Sequence, residues 1–152
     1  MKINLATKKD RKQLLEFFKH YSIRTIIRKR VDCYLFHNFT VVAKNKNKVV
    51  GVLQWYIKED PRMGVAEFEE FYVLKNYRGQ GIGSSLIKYA VSLVKAYFKK
   101  NKIKPRRIFI FANEKNKITR FVLEKNSFKL IARVGNLFFD NKTELFYCLK
   151  LK

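Results

Sequence analysis

Hydrophobic and polar positions change period several times along the chain, and each change predicts an element. Ile3 and Leu5 alternate with polar neighbours, which predicts a short first strand. Thr7 to Asp10 reads as a capping box, in which the hydroxyl and the carboxylate take orphan amides at a helix start. Leu14, Leu15, Phe17, Phe18 and Tyr21 supply that helix's apolar face, and a shorter, very basic helix is expected from Ser22 to Arg30. Phe39–Ala43 and Val49–Ile57 are rich in β-branched and aromatic residues and flank the polar tip Lys44–Lys48, the pattern of a hairpin. Asp60–Gly64 makes the next turn, and a strand is expected over Val65–Leu74. A glycine-rich turn then leads to a long helix from about Gly83 to Lys99, whose apolar residues Leu86, Ile87, Ala90, Val91, Val94, Tyr97 and Phe98 recur at three and four. Ile108–Ala112 is a continuous apolar run, as in a buried central strand. Asn116–Lys125 reads as a helix, and Leu130–Val134 and Leu145–Leu151 as closing strands. This order predicts one α/β domain with a mixed sheet over residues 1–152, without a linker.

Composition narrows the class. At 152 residues, 47% hydrophobic and 15% aromatic, the chain can bury a core and is not intrinsically disordered. No stretch reaches the 18 or so apolar residues of a membrane span. The opening residues lack the apolar core of a secretion signal, so an intracellular, cytoplasmic protein is expected. Cys33 and Cys148 are too few and too far apart for a disulfide framework or a zinc site, and no metal is expected. Charge is the outlier: 34 Lys and Arg against 12 Asp and Glu give +22. Such an excess attracts nucleic acid, ribosome, an anionic membrane face or a phosphate-rich cofactor. The basic residues are scattered, however, so a general lysine-rich habit explains the charge equally well.

Candidate chemistry gathers at Tyr77–Ser85, where glycines 79, 81 and 83 fall between a strand and a helix. Backbone free of Cβ atoms lets amides converge on a ligand, and a helix start adds partial positive charge, so the turn is suited to an anion. A dinucleotide fingerprint beginning at Gly79 would need glycine where Ser84 stands, and the Gly-Lys-Ser/Thr of a P-loop is absent.

Arg78-x-x-Gly81-x-Gly83, preceded by Phe71-Tyr72-Val73 and followed by an amphipathic helix, resembles the coenzyme A signature of the GNAT family of N-acetyltransferases. Asn116–Phe128 is similar to that family's second cofactor helix. The resemblance implies a mixed, mostly antiparallel central sheet, splayed at the cofactor site and flanked by helices. It also implies acetyl-CoA as acetyl donor and direct attack by a primary amine. The amides of Gly79, Gln80, Gly81, Ile82, Gly83 and Ser84 would hold the diphosphate, with the Arg78 guanidinium nearby. Phe71, Tyr72 and Val73 would pair through their backbones with the pantetheine arm, and the amide near Val73 would polarise the thioester carbonyl. Asn116 would touch the arm from the other side, with the sheet forked between the Val65–Leu74 and Ile108–Ala112 strands. Two positions depart from the pattern. Leu123 stands where the family usually has a tyrosine near the leaving sulfur, and Ser127 where it has glycine before Phe128. A thiol is acidic enough to leave as thiolate, so Leu123 does not abolish the chemistry.

Glu67, Glu69 and Glu70 crowd into four positions of a chain with only 12 carboxylates. Strict alternation puts Glu67 and Glu69 on one face and Glu70 on the other. An acceptor ammonium must lose a proton before it attacks, and a carboxylate facing the thioester can take it. Glu67 lies where histone-acetyltransferase-like members of the family carry their base, so Glu67 and Glu70 are the catalytic candidates. Ion pairing of these acids with neighbouring lysines is the alternative. His20 and His37 lack a metal-ligand partner at useful spacing, Cys33 and Cys148 are expected in the core, and Trp55 and Tyr56 in core or rim. Arg24, Arg28, Lys29 and Arg30 form a basic stretch that reads as a solvated face, or, where the resemblance places the acceptor wall, as a surface for an acidic or nucleic-acid-bound acceptor. The local acids favour a cationic amine while the +22 body repels a polycation, so a protein or peptide N-terminus or lysine is the expected acceptor. Two other readings remain: a regulatory module that binds acetyl-CoA without turnover, and a basic protein associated with nucleic acid or the ribosome.

Overall fold

A computed structural model describes residues 1–19, 24–36 and 39–152, without the side chains of residues 24–26 and 36. Its fold is α/β, with seven strands in one sheet in the order β1-β2-β3-β4-β5-β7-β6. These are β1 (Lys2–Leu5), β2 (Phe39–Asn45), β3 (Lys48–Ile57), β4 (Val65–Val73), β5 (Arg107–Asn113), β6 (Lys129–Gly135) and β7 (Thr143–Lys150). The β4–β5 pair is parallel, and β1–β2, β2–β3, β5–β7 and β6–β7 are antiparallel. The mixed, mostly antiparallel sheet expected from the sequence is therefore present. Among the described residues no helix is long and apolar enough to cross a membrane.

The chain packs as two compact units. The first comprises Met1–Trp55 and Glu70–Ala90. The predicted capping box forms, with the Asp10 carboxylate accepting from the Thr7 N–H at 2.9 Å, and leads through a 3-10 turn into α1 (Arg11–Phe18). The same buried carboxylate accepts from Lys44 Nζ on β2 at 2.5 Å, which ties the helix start to the sheet. α2 (Arg24–Phe36) continues six residues past the expected end at Arg30. Ile27, Val31 and Tyr34 recur at four and three and are buried, and no glycine or proline interrupts the run. They join Leu14, Phe17, Phe18, Val42, Val49 and Val52 in one core. Cys33 falls between Val31 and Tyr34 on the outward side and is exposed, which corrects its expected place in the core. Tyr21, Ser22, His20 and His37 lie outside the described residues. Trp55 is buried and stacks on Phe39, ring centroids 4.1 Å apart.

The second unit comprises Tyr56–Glu69 and Val91–Lys152. Asp60 opens a 3-10 turn by accepting the Arg62 N–H, and Gly64 closes it at φ +66°. Only a glycine fits there, because a Cβ would lie 2.1 Å from the Lys104 carbonyl oxygen. Phe68, Val94, Phe98, Ile108, Leu123, Phe128 and Tyr147 are buried, with Phe68 and Phe128 centroids 6.0 Å apart. Cys148 is buried among them, as expected. α3 (Ile82–Lys100) spans the boundary between units, and α4 (Lys117–Lys125) lies in the second. At the end of α4, Phe128 N–H bonds to Leu123 O and Ser127 adopts φ +67°, the place where a glycine is favoured.

The Asp10–Lys44 pair makes a pH-dependent contribution to stability. Burial raises the Asp10 pKa, but the hydrogen bonds from Lys44 and Thr7 outweigh it and leave the carboxyl below its ordinary value. Its contribution is therefore full above the unfolded pKa of about 3.9 and is lost as pH falls through the lower folded value. Asp10→Asn is expected to lower stability by about 2–3 kcal/mol at pH 7, with the difference from wild type shrinking below about pH 4, as read by urea titration.

Candidate active site

β4 carries one residue more than its neighbour. Near the β3–β4 turn Lys58 N–H donates to Val65 O at 3.1 Å, and at the far end Leu74 N–H donates to Val50 O at 2.9 Å. A regular antiparallel ladder starting from the first pair would bring Val73, not Leu74, opposite Val50. The extra residue is a bulge at Glu70, whose φ is +44°. Strict alternation does not run through a bulge, so the expectation that Glu70 faces opposite to Glu67 and Glu69 loses its basis.

In the first unit, Glu70 is anchored from α2. Its Oε1 accepts from the Tyr34 hydroxyl at 2.8 Å and pairs with Arg30 Nη2 at 2.8 Å, and the side chain is 11% exposed. Arg30 is thereby drawn out of the basic stretch, while Arg28 and Lys29 stay exposed and the Arg24 side chain is outside the described residues. Beyond the bulge, Leu74 points its backbone at β3, and so does Tyr72 two residues earlier. Alternation from Leu74 turns the main-chain groups of Phe71 and Val73 the other way. The Tyr72 side chain packs edge-on against Phe17 and lies beneath the Arg78 guanidinium, 5.2 Å from the ring centroid.

Arg78 then closes the turn on itself. A 3-10 turn over Lys75–Tyr77 reverses the chain, and Arg78 Nε donates to Val73 O at 2.9 Å. The Val73 carbonyl is thus engaged, while its N–H stays directed away from β3. Gly79 and Gly81 follow with φ of +78° and +76°, and a Cβ on either would meet nothing within 4 Å. Left-handed backbone is what calls for glycine at both, and the space in front of them is open. Ser85 N–H bonds to Gly81 O, which begins the hydrogen-bond ladder of α3. The amides of Ile82, Gly83 and Ser84 precede that first helical bond, so they form the helix's partially positive end. Gln80 is exposed in the turn between the two left-handed glycines. Such an arrangement is suited to an anion.

Gly51, which the sequence reading passed over, seats that helix. It is a lone glycine inside β3, and a Cβ there would lie 3.1 Å from Leu86 Cδ1 and 3.4 Å from Ile82 and Val73. A glycine inside a strand pattern was the available signal of a close approach.

In the second unit, Glu67 sits at the last residue pair of the short parallel ladder, Val65–Glu67 against Arg107–Phe109. Its side chain is 12% exposed, and Oε2 accepts from the Tyr56 hydroxyl at 2.5 Å and lies 3.5 Å from Lys58 Nζ. Burial, the hydrogen bond to Glu67 and the charges of Glu67 and Glu69 push the Tyr56 hydroxyl pKa well above its ordinary value, so it remains a donor. Oε1 of Glu67 has no partner among the described residues. Asn116 caps α4, its Oδ1 accepting from Thr119 N–H at 3.1 Å, so only its amide NH2 is left to meet a ligand. Leu123 is fully buried in this unit's core.

Comparison with known proteins gives the family and the fold. The family model described as acetyltransferase (GNAT) family matches residues 6–128. An N-acetyltransferase from Staphylococcus aureus Mu50 shares 22% identity over 99% of this chain and 98% of that one, with a TM-score of 0.79. An aminoglycoside 6'-N-acetyltransferase complexed with coenzyme A has a TM-score of 0.81 at 14% identity, covering 99% and 97% of the two chains. A ribosomal-protein-alanine N-acetyltransferase from Brucella melitensis has a TM-score of 0.77 at 17% identity, covering 99% and 100%. At these identities the likeness is one of fold. No curated protein sequence matches significantly.

If Gly51 seats the helix start that receives the cofactor, Gly51→Val should force Leu86 aside and lower stability by about 1–3 kcal/mol. Coenzyme A affinity, read by calorimetric titration at a temperature where the variant is folded, is expected to fall about tenfold.

Proposed function

The chain belongs to the GNAT acetyltransferase family, whose acetyl donor is acetyl-CoA, and on that premise we propose that it acetylates a primary amine of a protein or peptide, with Glu67 as the general base. The observation that carries the reading is the glycine turn, where Arg78 bonds back to Val73 O and two left-handed glycines with open space before them lead into a helix start packed against Gly51. Bound acetyl-CoA supplies an acetyl group activated as a thioester. In this reading the amides from Gly79 to Ser84 hold the diphosphate, aided by the helix dipole. The Arg78 guanidinium contributes charge from its Nη groups while Nε keeps the turn closed. Phe71 and Val73 present main-chain groups to the pantetheine arm, and the Val73 N–H donates to the thioester carbonyl oxygen. The Asn116 amide NH2 supplies a further contact to the arm.

The two glutamates divide by their partners. Both oxygens that could hold a proton must be weighed against the donors already on them. Glu70 Oε1 receives a hydroxyl and a guanidinium, an arrangement that anchors the bulge. Glu67 has no guanidinium on it: its Oε2 takes a hydroxyl that stays protonated and lies 3.5 Å from Lys58 Nζ, and Oε1 is left to accept the proton of an incoming ammonium.

Solved relatives are named for an aminoglycoside and for a ribosomal-protein alanine, so the fold leaves the acceptor open. Charge favours the peptide. Glu67 and Glu69 attract a cationic amine at contact distance, whereas the +22 chain repels a polycation over the Debye length of about 8 Å.

The test is thiol release from acetyl-CoA across peptide N-termini, lysine peptides, polyamines and aminoglycosides, at low and high salt. Peptides of modest positive charge are expected to react best. Glu67→Gln should lower kcat/KM at least 100-fold with coenzyme A binding retained, whereas Glu70→Gln should chiefly lower the melting temperature. Undiminished turnover in Glu67→Gln would remove the base assignment. Polyamine turnover above every peptide at low salt would overturn the acceptor, and cofactor binding without turnover of any amine would favour a binding module.

A further inference from the structure

Outside the candidate active site, the second unit contains an open concavity of about 590 Å³ lined by Asp60, Arg62, Met63, Val65, Arg106 and Arg107. Three guanidinium groups in one lining repel one another and need a counter-charge. Asp60 answers only one of them. Its carboxylate takes Arg62 Nε at 2.9 Å and Nη2 at 2.7 Å, and also accepts the Arg62 N–H. Arg106 and Arg107 are exposed, and neither side chain meets a carboxylate among the described residues.

Their backbone is held firmly all the same. Arg106 and Arg107 N–H groups both donate to Gly64 O, at 2.8 and 3.3 Å, and Leu151 N–H donates to Arg106 O at 2.9 Å. The close approach of Gly64 to the Lys104 carbonyl locks the Asp60–Gly64 turn onto the chain entering β5. The turn and that chain segment therefore present their arginines from a fixed base, which lowers the ordering cost of binding an anion.

We propose that this concavity is an accessory site for the phosphodiester backbone of a nucleic acid. Guanidinium forks match phosphate oxygens in pairs, which favours phosphate over an isolated carboxylate. Positive charge also continues past the lining. Exposed Lys102 and Lys104 precede Arg106 in the chain, Lys150 pairs with Arg107 in the β5–β7 register, and Lys152 follows. A charged surface larger than the concavity suits an extended polyanion better than a small free ion. Met63 and Val65 are its only apolar lining, too little for a buried organic ligand. No aromatic ring lines it, so binding is expected to follow phosphate charge and not base identity.

The test uses the full chain and fluorescence anisotropy with a labelled single-stranded RNA, a duplex DNA and a poly-glutamate peptide over a salt series. The double variant Arg106→Gln/Arg107→Gln is expected to weaken nucleic-acid binding about tenfold at low salt. It should also reduce the slope of log K against log salt by about 1–2. Lys46→Gln/Lys48→Gln, which removes the same charge from the exposed β2–β3 tip, should change binding less than about threefold. Unchanged coenzyme A affinity and melting temperature in the arginine variant would place its loss at this site, so the result stands apart from the acetyltransferase assignment. RNA or duplex DNA binding with this pattern supports the proposal, and their ratio names the source of the backbone. An equal loss in the lysine control, equal affinity for poly-glutamate, or displacement of RNA by submillimolar inorganic phosphate would overturn it.

Discussion

A left-handed backbone in mid-strand costs an L-residue about 1–2 kcal/mol, and at Glu70 that strain is offset by the Arg30 guanidinium and the Tyr34 hydroxyl on its carboxylate. A hydrogen bond to a charged group contributes about 1.5–3 kcal/mol, enough to hold the conformation. The bulge so maintained sets which main-chain groups of the following residues face β3 and which face away. By alternation from Leu74 it turns the main-chain groups of Phe71 and Val73 away from β3, while the Tyr72 ring packs on Phe17. The Glu70 carboxylate thus has a structural contact with α2 whatever its chemistry.

The turn that follows is built from complementary restraints. Arg78 uses one nitrogen to close the loop on Val73 and its cationic plane to cover Tyr72, so the guanidinium is positioned before any ligand arrives. Gly51 lets the start of α3 approach β3 so closely that an added Cβ would lie 3.1 Å from Leu86 Cδ1. Between these restraints, Gly79 and Gly81 leave open space in front of the helix's positive end. The anion site proposed here would depend on backbone direction more than on side-chain charge.

Electrostatics acts on two length scales in this protein. The +22 charge produces a general attraction for polyanions that salt screens. Local pairs set specific geometry: Lys44 on buried Asp10, Arg30 on Glu70, and Tyr56 with Lys58 on Glu67. Where basic side chains share a fixed base without acids to answer them, as at Arg106 and Arg107, general attraction can become a site.

Periodicity and turn chemistry were enough to place every strand and helix to within a few residues, apart from the end of α2, because burying one face of an element imposes a 2.0 or 3.6 spacing on its own residues. The glycine turn and Arg78 were legible for the same local reason, since left-handed backbone selects glycine wherever it occurs. The extension of α2 to Phe36 was legible too, in Ile27, Val31 and Tyr34, but the basic residues between them masked it. Tertiary structure alone decided the rest. The bulge at Glu70, the seating of α3 on Gly51, and the partners that separate Glu67 from Glu70 each depend on residues 9 to 40 positions away. Such pairings leave no period in the sequence, because a carboxylate's role is set by which donors surround it after the chain has folded.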